Sequence, residues 1–596
     1  MNISRTRLAK VRALMKERDI DAYIILNTDP HLGEYIPGHW RIVQWLTGFT
    51  GSSAVVIIAK KFAGLWTDSR YFIQAEEQLS GSGFSLKKLN VTSEPIWLDW
   101  LGANMKRGSC IGVDGRIFSM DYPGKLKKIL GKNKVRIDLE CDLITEIWTE
   151  RPPMPDSIAF DHNIIFCGKE RKDKITEVRE QMIKMRVDSH LLTSPDDIMW
   201  LLNIRGNDLE YSPLILAFAI VTQDQILLFS EEKKIPLKLA SEFDRIDITI
   251  LPYVEISLIL SRLKKGSFLL LTPETTNSSL FNSIQEGVNI VKDISIPTHL
   301  KAVKNSIEIE NIRKVMTKDG AALTKFLFWL EKNVESNTIT ELSAAGKLLE
   351  FRLQQSDCIG SSFSTIAAYK EHGALVHYSP STGSNSDLRA EGIFLIDSGG
   401  QYLDGTTDIT RTVTLGKPNH VQKSDFTLVL KGMIDLAISK YPVGTKGFQL
   451  DVLARKALWD NGLNYGHGTG HGVGFFLNVH EGPYSIGTCS SESNKFPLEP
   501  GIIISDEPAI YRAGEYGIRT ENLLLVFEDE KNDFGHFLKF ETLSLCYIDT
   551  ALIEKSLLDQ LELKWLNSYH SIVYEKLSPL LTDEEKKWLK VKTKEI

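Results

Sequence analysis

Apolar residues Leu8, Val11, Leu14 and Met15 recur at helical spacing over residues 4 to 19, and the apolar run Ala22-Tyr-Ile-Ile-Leu26 that follows reads as a strand. The same order returns at 171 to 192, where Ile175, Val178, Met182 and Met185 form a helical stripe ahead of Ser189-His-Leu-Leu-Thr193. Each unit continues with a tryptophan-bearing segment, Val43–Gly48 and Ile198–Gly206, and then a β-rich run, Ser53–Ile58 and Leu214–Val221. The repetition predicts a duplicated α/β module with a boundary near Pro152-Pro153. After Pro297 the pattern predicts a long helix through Ile309, Ile312, Val315 and Met316, with Ser306 as its expected cap.

Beyond residue 390 the polar positions become the informative ones. The apolar run from Gly392 ends in Asp397, and Asp408 sits in Gly405-Thr-Thr-Asp-Ile-Thr-Arg-Thr-Val-Thr414, an alternating β-branched pattern. His471 lies in Gly466-His-Gly-Thr-Gly-His-Gly-Val-Gly474, where five glycines suggest backbone conformations closed to other residues. Glu507 follows the run Gly501–Asp506, and Glu521 opens Glu-Asn-Leu-Leu-Leu-Val526. A tail with Leu557, Leu561, Trp565, Leu566 and Tyr569 at helical spacing closes the chain. The expected division is 1–152, 153–300, 301–528 and 529–596, an α/β (α+β) organisation with no Pro/Gly/Ser-rich linker between the pieces.

A length of 596 residues exceeds any one hydrophobic core and is consistent with several domains. A net charge of −7 argues against nucleic acid as a partner. The first residues carry no apolar core of signal-peptide length, and no segment has the uninterrupted apolar length of a membrane span, so the cytoplasm is the expected location. Cys110, Cys141, Cys167, Cys358, Cys489 and Cys546 are scattered without a CxxC pair, as expected of free thiols in a reducing compartment.

Carboxylates at the ends of buried strands are costly unless something pairs with them. Asp397, Asp408, Glu507 and Glu521, with His471, have the types that hold divalent metal, and their charge of −4 matches two ions better than one. Oxygen-rich ligation suits Mn²⁺ best, with Co²⁺ and Zn²⁺ as alternatives. Such a pair of ions lowers the pKa of a shared water and polarises a carbonyl. Glu507 and Glu521 flank a loop, Arg512–Gly517, and with Gly514 at its centre they lie directly opposite each other on antiparallel strands. For the aspartates, a two-residue turn at Asp404-Gly405 sets Asp408 opposite Gln401 and leaves Asp397 four residues away, roughly 13 Å along a strand. A bulge or twist at Gly399-Gly400 is then needed to bring them together. His377, His467 and His480 are candidate hydrogen-bond donors or proton shuttles, and Arg519, two before Glu521, projects to the glutamate face.

The segments Asp397–Thr412, His467–Gly474, Asn478–Pro483, Asp506–Pro508 and Gly517–Asn522 resemble the pita-bread metallopeptidase family, which includes methionine aminopeptidase, prolidase and Xaa-Pro aminopeptidase. With two N-terminal modules and a tail containing Trp565–His570, the likeness to three-domain Xaa-Pro aminopeptidases spans essentially the whole chain. It implies two creatinase-like domains ahead of a pita-bread catalytic domain. It further implies that Asp397 binds one metal, Asp408 and Glu521 bridge both, and His471 with Glu507 completes the second. His377, His467, His480 and Arg519 match active-site residues of the family, whereas Pro508-Ala-Ile-Tyr511 departs from the usual glycine and aromatic residue after the proline. The implied activity is release of the first residue from peptides with proline second, by a cytoplasmic homodimer. Prolidase and a non-catalytic peptide-binding protein on the same fold are the alternatives.

Overall fold

The computed structural model describes residues 2–89, 96–336, 338–488 and 496–596. Contacts divide the chain into two compact units, Met1–His162 with Lys169–Thr298, and Asn163–Gly168 with His299–Ile596.

The first unit holds two six-stranded sheets. One runs in the order Ser85–Lys88, Phe62–Thr67, Val55–Ala59, Ala22–Leu26, Cys110–Val113, Arg136–Asp138. The other runs Ile248–Leu251, Ile226–Phe229, Phe218–Thr222, Ser189–Leu192, Phe268–Leu271, Asn289–Lys292. In both, the first strand in sequence pairs antiparallel with the second and parallel with the fifth, so order and direction repeat strand for strand. The central strands are apolar at successive positions because both faces are covered. Tyr23, Ile25, Val56 and Ile58 enter one core, while Ala22, Ile24 and Ile57 enter the other with Trp66 and Trp97.

In the second unit a six-stranded sheet runs Lys440–Pro442, Gly535–Thr542, Asn522–Asn532, Ile503–Asp506, Gly470–Gly472, Glu481–Ile486. A three-stranded sheet, Ile366–Tyr369, Ile393–Ser398 and Ile409–Thr414, accompanies it. Helices Ser306–Asn333, His420–Ala437 and Gln560–Leu577 bury Leu323, Phe326, Val429, Met433, Leu566 and Tyr569 in one core with Ile396 and Val413. The long helix is capped by Asn305 rather than Ser306. The Asn305 side chain accepts from the backbone of Ile307 and Glu308, and Glu308 reciprocates.

Cys110, Cys141, Cys167, Cys358 and Cys546 are free thiols, while Cys489 lies outside the described residues. Among the described residues no helix is long and apolar enough to cross a membrane.

Candidate metal centre

Two hairpins and one glycine-rich strand deliver the candidate ligands. In the first hairpin Asp397 pairs with Thr410, Ser398 with Ile409, Gln401 with Thr406 and Tyr402 with Gly405. The turn is therefore Leu403-Asp404, one residue earlier than the preferred Asp404-Gly405 pair. That shift moves Asp408 opposite Gly399, on the face of Asp397 and diagonal to it. The pairing keeps one register through Gly399-Gly400, so the bulge expected there is not what brings the aspartates together. Gly399 is needed for another reason: a Cβ on it would sit 1.9 Å from the Thr407 carbonyl oxygen and 2.1 Å from Ser362 Oγ.

The second hairpin has the register expected of a loop centred on Gly514. Asp506 pairs with Asn522 and Ala509 with Arg519, which leaves Glu507 directly across from Glu521. Glu521 is buried, its N–H donates to the Thr410 carbonyl at 3.1 Å, and Thr410 Oγ1 donates to its Oε2 at 2.7 Å. These bonds join the two hairpins.

His471 lies on the short strand Gly470–Gly472, beside Ile503–Asp506. None of the glycines between Gly466 and Gly474 adopts a positive φ, contrary to the expectation from composition. They are small because neighbours are close. A Cβ on Gly470 would lie 1.8 Å from the Ser505 carbonyl, and one on Gly472 would lie 2.3 Å from that of Glu481. The His471 Nδ1 faces the Gly472 carbonyl at 3.0 Å, so in the neutral ring that nitrogen carries the proton. Its Nε2 points at Asp408 Oδ2, 3.5 Å away, and at Glu507 Oε1, 3.6 Å away.

Ligand atoms of Asp408, His471 and Glu521 all lie within 4.8 Å of one another. Burial raises the Asp397 carboxyl, opposed by Arg519 and reinforced by Asp408. It pushes Glu507 up to about 7 against the pull of His471 and Arg519. Glu521 is driven well above the carboxylate range by burial and then by Asp408 and Glu507. Burial opposes the charged form of His471, but Asp408 and Glu507 outweigh it and hold the ring at about 9. Asp397 Oδ1 is buried with no hydrogen-bond partner. Crowded carboxylates, an imidazole lone pair aimed among them and an orphaned oxygen are what a cation site requires.

Arg519 is buried and donates to Asp397 Oδ2 and, at 3.2 Å, to Thr410 Oγ1. Its positive charge changes the ion count. Four carboxylates with one guanidinium leave −3, midway between one divalent ion and two, so two ions rest on the spread of five ligands rather than on charge.

His480 packs edge-on against His471, ring centroids 4.4 Å apart. His467 Nε2 meets the Tyr511 hydroxyl at 2.9 Å. His377 is half-buried in the segment after Lys370–Ala374, whose Gly373 presses on Gly517 of the strand that carries Arg519. The structure thus gathers the five candidate ligands and Arg519, sets His480 beside them, links His467 through Tyr511, and places the His377 segment against the same hairpin.

Tyr511 was not among the residues read from the sequence. Its hydroxyl accepts from Arg519 Nη1 at 2.6 Å as well as meeting His467, and burial raises it to about 12. The signal was strand alternation: residues 507, 509 and 511 share a face, with Tyr511 opposite Gly517. The departure after Pro508 thus affects positions 509 and 510, Ala and Ile here, and leaves this hydroxyl in place. Tyr511→Phe is expected to lower kcat/KM about 10- to 100-fold, the usual scale for an outer partner of a metal site. Steady-state kinetics with the metal-saturated variant checks it.

The metallopeptidase family M24 model matches residues 310–528, and its C-terminal region matches 536–596. Creatinase/prolidase N-terminal domain models match 7–140 and 150–308. A Laccaria bicolor protein named probable Xaa-Pro aminopeptidase P is 37% identical over 98% of this chain and 92% of its own length. One of that name from Aspergillus fumigatus is 38% identical with the same coverage. The chain belongs to the aminopeptidase P group of the M24 metallopeptidases. The crystal structure of an X-prolyl aminopeptidase from Caenorhabditis elegans, described as a cytosolic enzyme with a di-nuclear active site, superposes with a TM-score of 0.95 at 36% identity, covering 100% of both chains. The family fold is accordingly the one observed, two creatinase-like modules and a pita-bread domain. In this M24 chain all five candidate ligand positions carry metal-binding side chains.

Proposed function

We propose that the protein is a metal-dependent aminopeptidase that releases the first residue from peptides with proline in second position. The observation that carries the reading is the convergence of Asp397, Asp408, His471, Glu507 and Glu521 within a chain similar over its whole length to aminopeptidase P proteins. Asp397 would hold one divalent ion, Asp408 and Glu521 both, and His471 and Glu507 the second, with Mn²⁺ the ion best matched to four carboxylates and one imidazole. When bound, the ions supply Lewis-acid polarisation of the scissile carbonyl and acidify water.

The remaining steps belong to side chains. Glu507, steadied by Ser505 Oγ at 3.3 Å, accepts the proton of the attacking water and delivers it to the departing proline nitrogen. That nitrogen has no hydrogen of its own, so a cleft demanding a donor there would reject the bond. His377 and His480 donate to the carbonyl oxygen and to the oxyanion that develops on it, and His467, whose Nε2 meets the Tyr511 hydroxyl and whose Nδ1 faces the Gly468 carbonyl, joins them on turning from one of these partners. Arg519 orients Asp397 and favours its charged form against the effect of burial.

The division at 152, 300 and 528 belongs to the same proposal, supported by the repeated strand order of the two N-terminal sheets. A homodimer in the cytoplasm completes it. Phe448, Val452 and Trp459 are exposed along one helix, Gly447–Trp459, an apolar face suited to a second copy. Sedimentation showing only monomer would count against the dimer.

Hydrolysis of Xaa-Pro, Xaa-Pro-Xaa and Xaa-Ala-Xaa peptides, after EDTA and re-addition of Mn²⁺, Co²⁺ or Zn²⁺ in turn, tests the function. Cleavage of Xaa-Pro-Xaa and not of Xaa-Ala-Xaa, restored by metal, is expected. Activity confined to dipeptides would make the protein a prolidase, and no metal-dependent cleavage at all would make it a binding protein.

A further inference from the structure

Arg411 is 1% exposed, yet every hydrogen bond of its guanidinium goes to an uncharged oxygen. Nη1 donates to the carbonyls of Thr410 at 2.9 Å and Glu521 at 2.6 Å. Nη2 faces the Asn522 side-chain oxygen at 2.8 Å, the Tyr569 hydroxyl at 2.8 Å and the Cys546 carbonyl at 2.9 Å. Nε donates to the Tyr547 carbonyl at 3.1 Å. A buried cation with no carboxylate partner is costly, and it persists only where surrounding dipoles fix it.

The acceptors fall into two groups. Thr410, Glu521 and Asn522 belong to the hairpins that carry the proposed metal ligands, and Thr410 also donates to the Glu521 carboxylate. Cys546, Tyr547 and Tyr569 belong to the C-terminal region, residues 536–596. Tyr569, on the helix Gln560–Leu577, concentrates that side of the network. Its hydroxyl lies 2.9 Å from the Ser544 carbonyl and 3.0 Å from that of Cys546, and accepts the Cys546 N–H at 3.2 Å. Its ring stacks on Trp565 with centroids 5.0 Å apart.

We infer that Tyr569 is a positioning residue for Glu521: through Arg411 the C-terminal region holds the backbone of a proposed metal-bridging carboxylate in place. The extension is then part of the scaffold of the metal centre as well as a cover for the core. A guanidinium has a fixed planar fork, so displacing one acceptor tilts the donors aimed at the others. Losing the Tyr569 hydroxyl removes one of six acceptors and lets the guanidinium shift toward the others, and the Glu521 carbonyl shifts with it. The inference rests on the proposed ligation by Glu521.

The test uses the full-length chain with Tyr569→Phe, which keeps the ring, and Leu566→Ala, which removes buried packing from the same helix without touching Arg411. Metal-free proteins are titrated with Mn²⁺ by calorimetry, and kcat and KM are measured on a Xaa-Pro-Xaa peptide. Tyr569→Phe is expected to weaken one Mn²⁺ site about 10-fold and to lower kcat with KM little changed. Leu566→Ala is expected to lower Tm while its Mn²⁺ affinity stays within about twofold of wild type. Wild-type Mn²⁺ binding by Tyr569→Phe would overturn the inference, as would equal weakening by both variants, which marks a merely structural role. The calorimetric arm needs no substrate, so failure of this inference is separable from failure of the peptidase reading.

Discussion

Asp408→Ala is expected to lower kcat/KM on Xaa-Pro-Xaa peptides by about 10³-fold or more, because the Lewis-acid contribution of a metal site is several kcal/mol and each 1.4 kcal/mol is about a factor of ten. Bound metal should fall from two ions to at most one. Asp408 is the carboxylate that the other candidates meet: His471 Nε2 lies 3.5 Å from it, and its charge raises the carboxyls of both Asp397 and Glu521. The fold should tolerate the change, since removing one of four crowded carboxylates relieves repulsion in the metal-free protein. Metal analysis and kinetics on the same preparation check the result. Wild-type rates and metal content with Asp408→Ala would overturn the proposed ligand set.

The second large effect is on stability. In the metal-free protein Glu507 is raised to about 7 and His471 to about 9. Both groups bind protons more tightly when folded, so each stabilises the fold most at low pH, and the contribution is lost as pH rises through the folded value. For Glu507 the window runs from the ordinary carboxylate range up to about 7, and for His471 from the ordinary imidazole range up to about 9. Asp397 and Glu521, also raised, act in the same direction. The Tm of EDTA-treated protein is therefore expected to fall on the order of 5 °C or more between about pH 5 and pH 8. Metal binds the deprotonated ligands, so Mn²⁺ should restore most of the loss and do so more strongly at the higher pH. A flat Tm across this range would contradict the crowding of buried carboxylates.

The glutamate pair was legible in the sequence because its loop is symmetric about Gly514, and alternation then fixes the facing residues. The aspartate pair was not. Local preference favours Asp404-Gly405 as a turn, but Lys318 on the long helix holds the Asp404 carboxylate at 2.8 and 2.9 Å, and the Leu403 N–H donates to the Asp357 carbonyl. Those partners are distant in sequence, and they move the turn by one residue. The glycines around His471 were visible, whereas their purpose was not, since close approach of Ser505 and Glu481 is a tertiary fact. Strand alternation in the second hairpin already contained Tyr511. Nothing local marks Arg411, whose acceptors other than the Thr410 carbonyl come from segments more than a hundred residues away.

The contact between Arg519 and Asp397 makes the two halves of the centre unequal before any ion arrives. Asp408, His471 and Glu521 form one cluster, whereas one oxygen of Asp397 is already engaged by a fixed cation. An incoming ion competes with a proton in the first place, where His471 is held at about 9, and with the fixed guanidinium of Arg519 in the second. On the proposed ligation, the half with His471 would gain affinity as pH rises and its proton leaves, whereas the charge of Arg519 stays, so the two halves would load with different pH dependence.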